Sequence, residues 1–373
     1  MTLRPRLRAA GALLAAAGLI GCAADAPKPV PLAPIQPRIA GKVVWKKSLA
    51  NIGFPLSVAV KSGVFTVAAN DGTVLALDAE TGREVWRARA DGPLSAGVGS
   101  DGRFASVVTR DGEVVTFDAG KLAWRKSLGV RVVTAPLVAG ERVFVLGIDR
   151  SIQAFDAADG RKLWAVQRVG DPLTLSQAGV LTTFNDTLIV GQGPRLQGLD
   201  PLNGTVRWDL AAASPRGTNE VERLADLVGP AQRIIDSICV RAFQAAVTCV
   251  NADRGTVVWT KNIGGNDGLG GDAQFLFGAD ASDRLTAWNR VTGDVVWTSD
   301  KLLHHGLGTP LSTGSTVVYG DAQGLVHWLS RDKGEPLLRL PTDGSAVVAA
   351  PVAVGATMLV VTAKGGLFAF RPE

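Results

Sequence analysis

Asp71-Gly72-Thr73-Val74-Leu75-Ala76-Leu77-Asp78-Ala79-Glu80-Thr81-Gly82-Arg83-Glu84-Val85-Trp86 is the stretch that decides the fold. Asp71-Gly72 supplies the positive φ of a hairpin turn. Val74 to Leu77 reads as a short apolar strand, and Asp78 to Gly82 turns the chain again, with Trp86 four residues after the glycine. The same order of turn, strand, Asp or Asn, Gly and Trp returns with Trp124, Trp164, Trp208, Trp259 and Trp297, and in a degenerate copy through Asp321, Gly334 and Leu338. Spacings of about 40 residues between copies of one supersecondary unit mean a propeller or a solenoid. Helical periodicity is scarce. Seven of the nine Trp, counting Trp45, hold the repeat position, where a flat ring can cover the neighbouring blade's turn and fill the wedge between sheets.

The two ends of the chain set the number of blades. Lys364-Gly365-Gly366-Leu367-Phe368-Ala369-Phe370 carries the strand of a repeat and stops before its Gly and Trp, whereas Gly41-Lys42-Val43-Val44-Trp45 is a Gly-to-Trp strand with no blade before it. The expected fold is therefore all-β: an eight-bladed β-propeller of four-stranded antiparallel blades over residues 41–373, its ring closed by the N-terminal strand joining the last blade. Closure removes the exposed edges that an open array would present.

Before the repeats, Arg4, Arg6 and Arg8 precede an uncharged run from Ala9 to Ile20 that is too short to span a bilayer, the layout of a signal peptide over residues 1–21. Leu19-Ile20-Gly21-Cys22 looks like a lipobox, which makes Cys22 the acylated mature N-terminus; an ordinary secreted protein with a chance cysteine is the alternative. Ala23, rather than Asp, follows Cys22, as in lipoproteins sorted to the outer membrane, so the expected location is a lipid-anchored body facing the periplasm. Pro27, Pro29, Pro31, Pro34 and Pro37 favour extended backbone, and residues 22–40 read as a tether holding the body off the bilayer by roughly 3 Å per residue.

Removing Arg4, Arg6 and Arg8 with the leader lowers the formal charge from +5 to +2, and the remaining Lys and Arg are not interleaved with aromatics, so nucleic acid is not an expected partner. With 46% hydrophobic and 20% charged residues the chain can build a large core. Catalytic chemistry is poorly supplied: there is no Gly-x-Ser-x-Gly, no supported carboxylate pair, and only His304, His305 and His327. His304 and His305, read as neighbours on a strand, would face opposite ways and not share a metal, and His327 reads as a satisfied core or channel residue. Gly264-Gly265-Asn266-Asp267-Gly268-Leu269-Gly270-Gly271-Asp272 fits neither an EF-hand nor a P-loop and reads as an inter-blade loop. No catalytic residue, metal or cofactor is expected.

Cys239 and Cys249 flank a hairpin around Phe243-Gln244-Ala245 that sets them opposite one another, within reach of a disulfide in an oxidising periplasm. Two small buried hydrophobes are the alternative. The longest interval between repeats, Trp208 to Trp259, holds a polar stretch bearing Pro and Gly over residues 211–233, and long loops in compact folds are commonly functional, a solvated insertion being the other reading.

The Trp-bearing repeats resemble the tryptophan-docking repeats of quinoprotein dehydrogenases, the pyrroloquinoline-quinone family of propellers. That likeness implies a periplasmic dehydrogenase as the competing function, but the adjacent Cys-Cys pair of those enzymes has no counterpart, since Cys239 and Cys249 are ten positions apart. The fuller resemblance is to the BamB family, the propeller lipoproteins of the outer-membrane β-barrel assembly machine. It runs from the lipobox to the last strand and rests on non-repeat residues: the segment from Gly217 through Glu222, Arg223 and Asp226, then Ser299-Asp300-Lys301-Leu302-Leu303-His304-His305, then Gly320-Asp321-Ala322-Gln323-Gly324-Leu325-Val326-His327-Trp328. It implies a non-enzymatic scaffold that docks on the periplasmic POTRA domains of the barrel-inserting subunit and helps unfolded barrel precursors reach it.

Within that resemblance, Leu173 and Leu175 match the leucines of a Leu-x-Leu motif in Asp171-Pro172-Leu173-Thr174-Leu175-Ser176, and Glu222, Arg223 and Asp226 belong to its charged partner segment. A period of two places both leucines on one face of an extended segment, as an apolar anchor ringed by Asp226; burial of both in blade core is the alternative. Ser176 stands where the family's Arg would follow, and Val228 where a second Asp would stand, so the expected interface is less charged and less sensitive to salt than the family pattern.

Overall fold

The computed structural model describes residues 27–168, 173–215 and 217–372; the leader, Cys22, Asp171 and Pro172 lie outside them. Eight four-stranded antiparallel sheets form, each of seven built from consecutive strands and the eighth ordered Gly41–Ser48, Gly366–Pro372, Thr357–Val361, Val352–Val354. We number the blades 1 (residues 59–89), 2 (99–127), 3 (137–167), 4 (181–211), 5 (227–261), 6 (270–299), 7 (311–341) and 8 (352–372 with 41–48). Gly41↔Pro372 through Ser48↔Gly366 is the register that closes the ring, as the split repeat requires. Among the described residues no helix is long and apolar enough to cross a membrane.

The alternating strands bury their apolar residues in the wedges between neighbouring sheets; Phe65, Leu75 and Leu77 of blade 1, for example, pack with Leu359 and Leu367 of blade 8. What locks seven of the eight wedges is the repeat tryptophan. Trp124 of blade 2 lies on the turn of blade 3, where a Cβ added to Gly160 would come 2.5 Å from the ring, and its indole N–H donates to the Ala157 carbonyl at 2.8 Å. Trp45 covers Gly82, Trp259 covers Gly293 and Trp297 covers Gly334 in the same way, with indole bonds to Ala79, Arg290 and Arg331 carbonyls at 3.1, 2.9 and 2.8 Å. These glycines have φ near +70°, where a side chain is strained even without the ring above it.

A register shift accompanies every one of these positions. Ala76 faces Trp86 while Leu77 faces Glu84, leaving Val85 as an extra residue, and the same bulge precedes the repeat position in all eight outer strands. A bulge re-aims the side chain beside it. Here it turns the outer-strand tryptophan off the pleat and onto the next blade.

The joint between blades 7 and 8 lacks this device, because Leu338 stands at the repeat position and only touches the place where a Gly41 Cβ would be, at 3.1 Å. The proline-rich segment packs here instead. Ile39 joins the apolar cluster of Leu338 and Phe370 and the Arg38 N–H donates to Leu337 O at 2.9 Å, whereas Leu32 packs with Leu302 and Leu307 at the preceding joint, between blades 6 and 7. Reading all of residues 22–40 as free tether therefore needs correcting: residues 30–39 are bound, since Val30 and Leu32 settle against the connection between blades 6 and 7 and Ile39 fills the joint that lacks a tryptophan.

Trp124→Ala should lower stability by about 3–5 kcal/mol, the usual cost of emptying a buried aromatic site. Trp124→Phe should cost about 1 kcal/mol for the lost N–H bond plus part of the ring contact. Denaturant unfolding measures both, and equal losses for the two variants would remove ring stacking as the main source.

Candidate partner-docking site

Connections from each outer strand to the next blade's inner strand gather at one end of the ring, together with the turns between the two middle strands of each blade. The segment after blade 3 carries Leu173, Thr174 and Leu175, and the one after blade 4 carries Glu222, Arg223 and Asp226. The two meet through one bond: Asp226 Oδ2 accepts the Leu175 N–H at 2.8 Å. Asp226 Oδ1 lies 3.9 Å from Arg150 Nη2, whose residue sits in a blade 3 turn at φ +66°. Thr174 Oγ1 donates to Ile148 O at 3.3 Å in that same turn. Ile148, Arg150, Thr174, Leu175, Gln192 and Asp226 line a small recess at the junction of blades 3, 4 and 5.

The predicted residues divide on this geometry. Thr174, Leu175 and Asp226 come together, while Leu173 is 37% exposed and outside the recess, so the two leucines do not share one setting. Neither belongs to an apolar core cluster of a blade. Glu222 and Arg223 lie on an exposed turn, in which Glu222 accepts the Thr218 N–H at 2.7 Å and the Thr218 hydroxyl at 3.1 Å. Those two bonds hold the Glu222 carboxyl below its ordinary pKa. Val228 is buried and bridged to Gly179, so the apolar residue there serves the sheet. Arg150 supplies a guanidinium where Ser176 does not. Nothing local in the sequence marks Ile148, Arg150 or Gln192; only ring closure brings blades 3 and 4 against the 226 loop.

The histidines need a correction: His304 and His305 lie in a turn, not a strand, with His304 at φ +61°. His305 is buried, its ring facing Val30 O at 2.9 Å and Gln323 Oε1 at 3.1 Å. His327 Nε2 contacts Asp321 Oδ2 at 2.9 Å and its Nδ1 accepts from Arg339 Nε at 3.3 Å, so both ring nitrogens are satisfied. Burial lowers the His327 pKa against the pull of Asp321. Among the described residues no group of three or more His, Cys, Asp or Glu is placed to hold a metal ion.

The glycine-rich run owes its composition to close approach: Gly270 sits against the Pro310 backbone, and Gly265 against the buried Arg241 guanidinium and Ala279 O. Asp267 opens onto the axial cavity, whose enclosing walls raise its carboxyl to about 6 in spite of Arg241, and burial lowers Arg241 to about 10.

Cys239 and Cys249 face each other across the blade 5 hairpin with Cα atoms 4.0 Å apart and sulfurs joined. Both are fully buried beside Trp259 and Trp288, whereas the axial cavity of about 900 Å³ is lined by residues such as Ser57, Thr134 and Asp283. Neither cysteine of this bridge faces that cavity.

This is an eight-bladed, tryptophan-docked propeller whose distinctive feature is a loop-built recess at one rim. The family profile described as "Outer membrane protein assembly factor BamB" matches residues 35–96 and 70–299. The chain is 35% identical to the outer membrane protein assembly factor BamB of Burkholderia pseudomallei over 375 residues, covering 98% of each. It is 34% identical to that of Bordetella pertussis over 353 residues, 93% of this chain and 91% of the relative. The chain belongs to the BamB family. The crystal structure of BamB from Moraxella catarrhalis superposes with a TM-score of 0.81 at 21% identity, covering 89% of this chain and all of that one. Quinohemoprotein alcohol dehydrogenase from Comamonas testosteroni shares the fold, at a TM-score of 0.65 and 18% identity over 89% of this chain and 76% of that one.

Thiol labelling of the denatured, unreduced protein should find neither Cys239 nor Cys249 reactive, and two free thiols would rule the bridge out. Asp226→Ala should accelerate amide exchange at Leu175 by at least tenfold while costing about 1–3 kcal/mol of global stability. Unchanged exchange at Leu175 would mean the carboxylate does not hold the loop.

Proposed function

We propose that this protein is a non-enzymatic scaffold of the outer-membrane β-barrel assembly machine, anchored through acylated Cys22 and facing the periplasm. Its recess docks the POTRA domains of the barrel-inserting subunit, and the complex aids folding and insertion of outer-membrane proteins. The observation that carries this reading is the Leu175 N–H to Asp226 bond, which unites two segments distant in sequence, both similar to family segments outside the repeats. Leu173 offers exposed apolar surface beside the recess, and Glu222 and Arg223 offer charge on the exposed turn that leads to Asp226. A few buried apolar anchors within a polar rim supply most of the energy of such contacts. Strand addition of unfolded barrel precursors to the outer strands remains compatible with this docking mode.

Leu173→Glu with Leu175→Glu should abolish co-purification of the barrel-inserting subunit from detergent-solubilised outer membranes and leave thermal unfolding nearly unchanged. Retained binding would remove both residues from the interface, and loss of fold stability would make Leu175 a packing residue. Cys22→Ser should release the protein from the outer-membrane fraction; unchanged fractionation would argue against acylation there.

A further inference from the structure

Two of the non-repeat segments, residues 299–305 and 320–328, take no part in the recess; both serve the start of the proline-rich strap. Val30 is held on both sides: its N–H donates to Leu303 O at 3.1 Å, and its carbonyl accepts from His305 Nε2 at 2.9 Å. Leu32 packs with Leu302 and Leu307, and Ala33 O accepts from Arg339 Nη1 at 3.4 Å. The rest of Arg339 is committed inward, where its Nε donates to His327 Nδ1 at 3.3 Å and His327 Nε2 contacts Asp321 Oδ2 at 2.9 Å. Register sets this row, because Tyr319, His327 and Arg339 are direct partners across three neighbouring strands of blade 7 and so share one face.

The neighbours of His327 fix its proton. A guanidinium only donates, so Nδ1 must carry the lone pair, and the single ring proton sits on Nε2, facing Asp321. Asp321 is fully buried, and its Oδ1 accepts the Gln323 and Leu325 N–H groups at 2.9 and 2.8 Å. Against the burial that would raise it, the His327 bond and these N–H groups hold its carboxyl below the ordinary value. A second proton on His327 has to enter at Nδ1, where the Arg339 Nε–H already points. Two donors cannot share that contact, and two cations would meet in a largely dry place. The charged groups around the ring are Asp321 from the blade 7 turn, Arg339 from the outer strand and His305 from the connection between blades 6 and 7. Tyr319, on the adjoining strand, is kept neutral by burial, and the strap brings no Asp or Glu.

We propose that residues 299–305 and 320–328, with Arg339, form a proton-sensitive clasp for the strap: a second proton on His327 drives the Arg339 guanidinium off both the ring and Ala33, and residues 30–33 lift from the joint of blades 6 and 7. Burial foremost, then Arg339 and His305, lower the His327 pKa against the pull of Asp321 while the strap is seated. The clasp therefore has full strength above the ordinary imidazole value of 6.5 and weakens as the pH falls below it towards the lowered one. Release takes the cover of Leu32 from Leu302 and Leu307. With Cys22 acylated, each freed residue also adds roughly 3.4 Å of tether. That consequence rests on the proposed anchoring; the clasp itself does not.

Amide exchange of the detergent-purified protein, corrected for the intrinsic pH dependence of exchange, reads the clasp at Val30. Protection there should fall about fivefold from pH 7.5 to pH 5.5, while the strands of blades 1 to 4 keep theirs. In H327Q and in R339Q the fall should vanish, since a side-chain amide carries no charge and can either donate or accept. The reciprocal effect is read on the ring itself. The chain has three imidazoles, so H327Q assigns the His327 proton signals, and Leu32→Asn, which unseats the strap without adding charge, should raise the His327 pKa by about 0.5 or more. Equal Val30 protection at both pH values, the full fall persisting in H327Q, or His327 titrating alike with the strap seated and unseated would each overturn the proposal. A fall shared by every blade would overturn it too, as acid unfolding of the whole body.

Discussion

An indole laid on the glycine of the next blade's turn is the contact on which the ring depends. It joins two sheets that share no backbone ladder, and it does so with both a face and an edge: the ring covers the turn, and the N–H bonds a carbonyl of the same turn, as Trp124 does on Gly160 and Ala157. Such a contact is demanding at both ends. The turn must carry glycine at positive φ, and the outer strand must present its tryptophan sideways, which the bulge before each repeat position accomplishes. Because each blade donates to the next, the angle between sheets is set locally and repeated, and a ring closes once the number of copies fits.

The exception shows what the contact does. Where Leu338 replaces the indole, blade 7 has no ring to lay on the following turn, and the joint is covered instead by Ile39 and the backbone of Arg38, while Leu32 packs one joint earlier, between blades 6 and 7. The segment that in isolation favours an extended, solvated conformation thus becomes part of the body. Its end at Arg38 and Ile39 takes up the space that the missing tryptophan leaves.

The recess itself is a product of ring geometry. Asp226 and Leu175 are 51 residues apart, and Arg150 comes from a third blade, yet all three meet because connections of adjacent blades emerge at the same end. Loops on a rigid propeller can vary without disturbing the wedges, so a fold shared with alcohol dehydrogenases can carry the docking role proposed here.

Strand content, blade number and closure were legible in the sequence, because turn glycines, alternating apolar residues and the spaced tryptophans are each local signals with one physical meaning, and because the split between Gly41-Trp45 and Gly366-Phe370 can be mended in only one way. Leu175 and Asp226 were legible only through their likeness to a family. Tertiary structure alone decided the rest: that Leu173 stays exposed while Leu175 lines a recess, that Arg150 and Ile148 belong to that recess, that His305 sits in a turn against Val30, and that residues 30–39 are bound and not free. Each of these depends on contacts between blades distant in sequence, and no period or propensity along the chain encodes which side chains a closed ring will bring face to face.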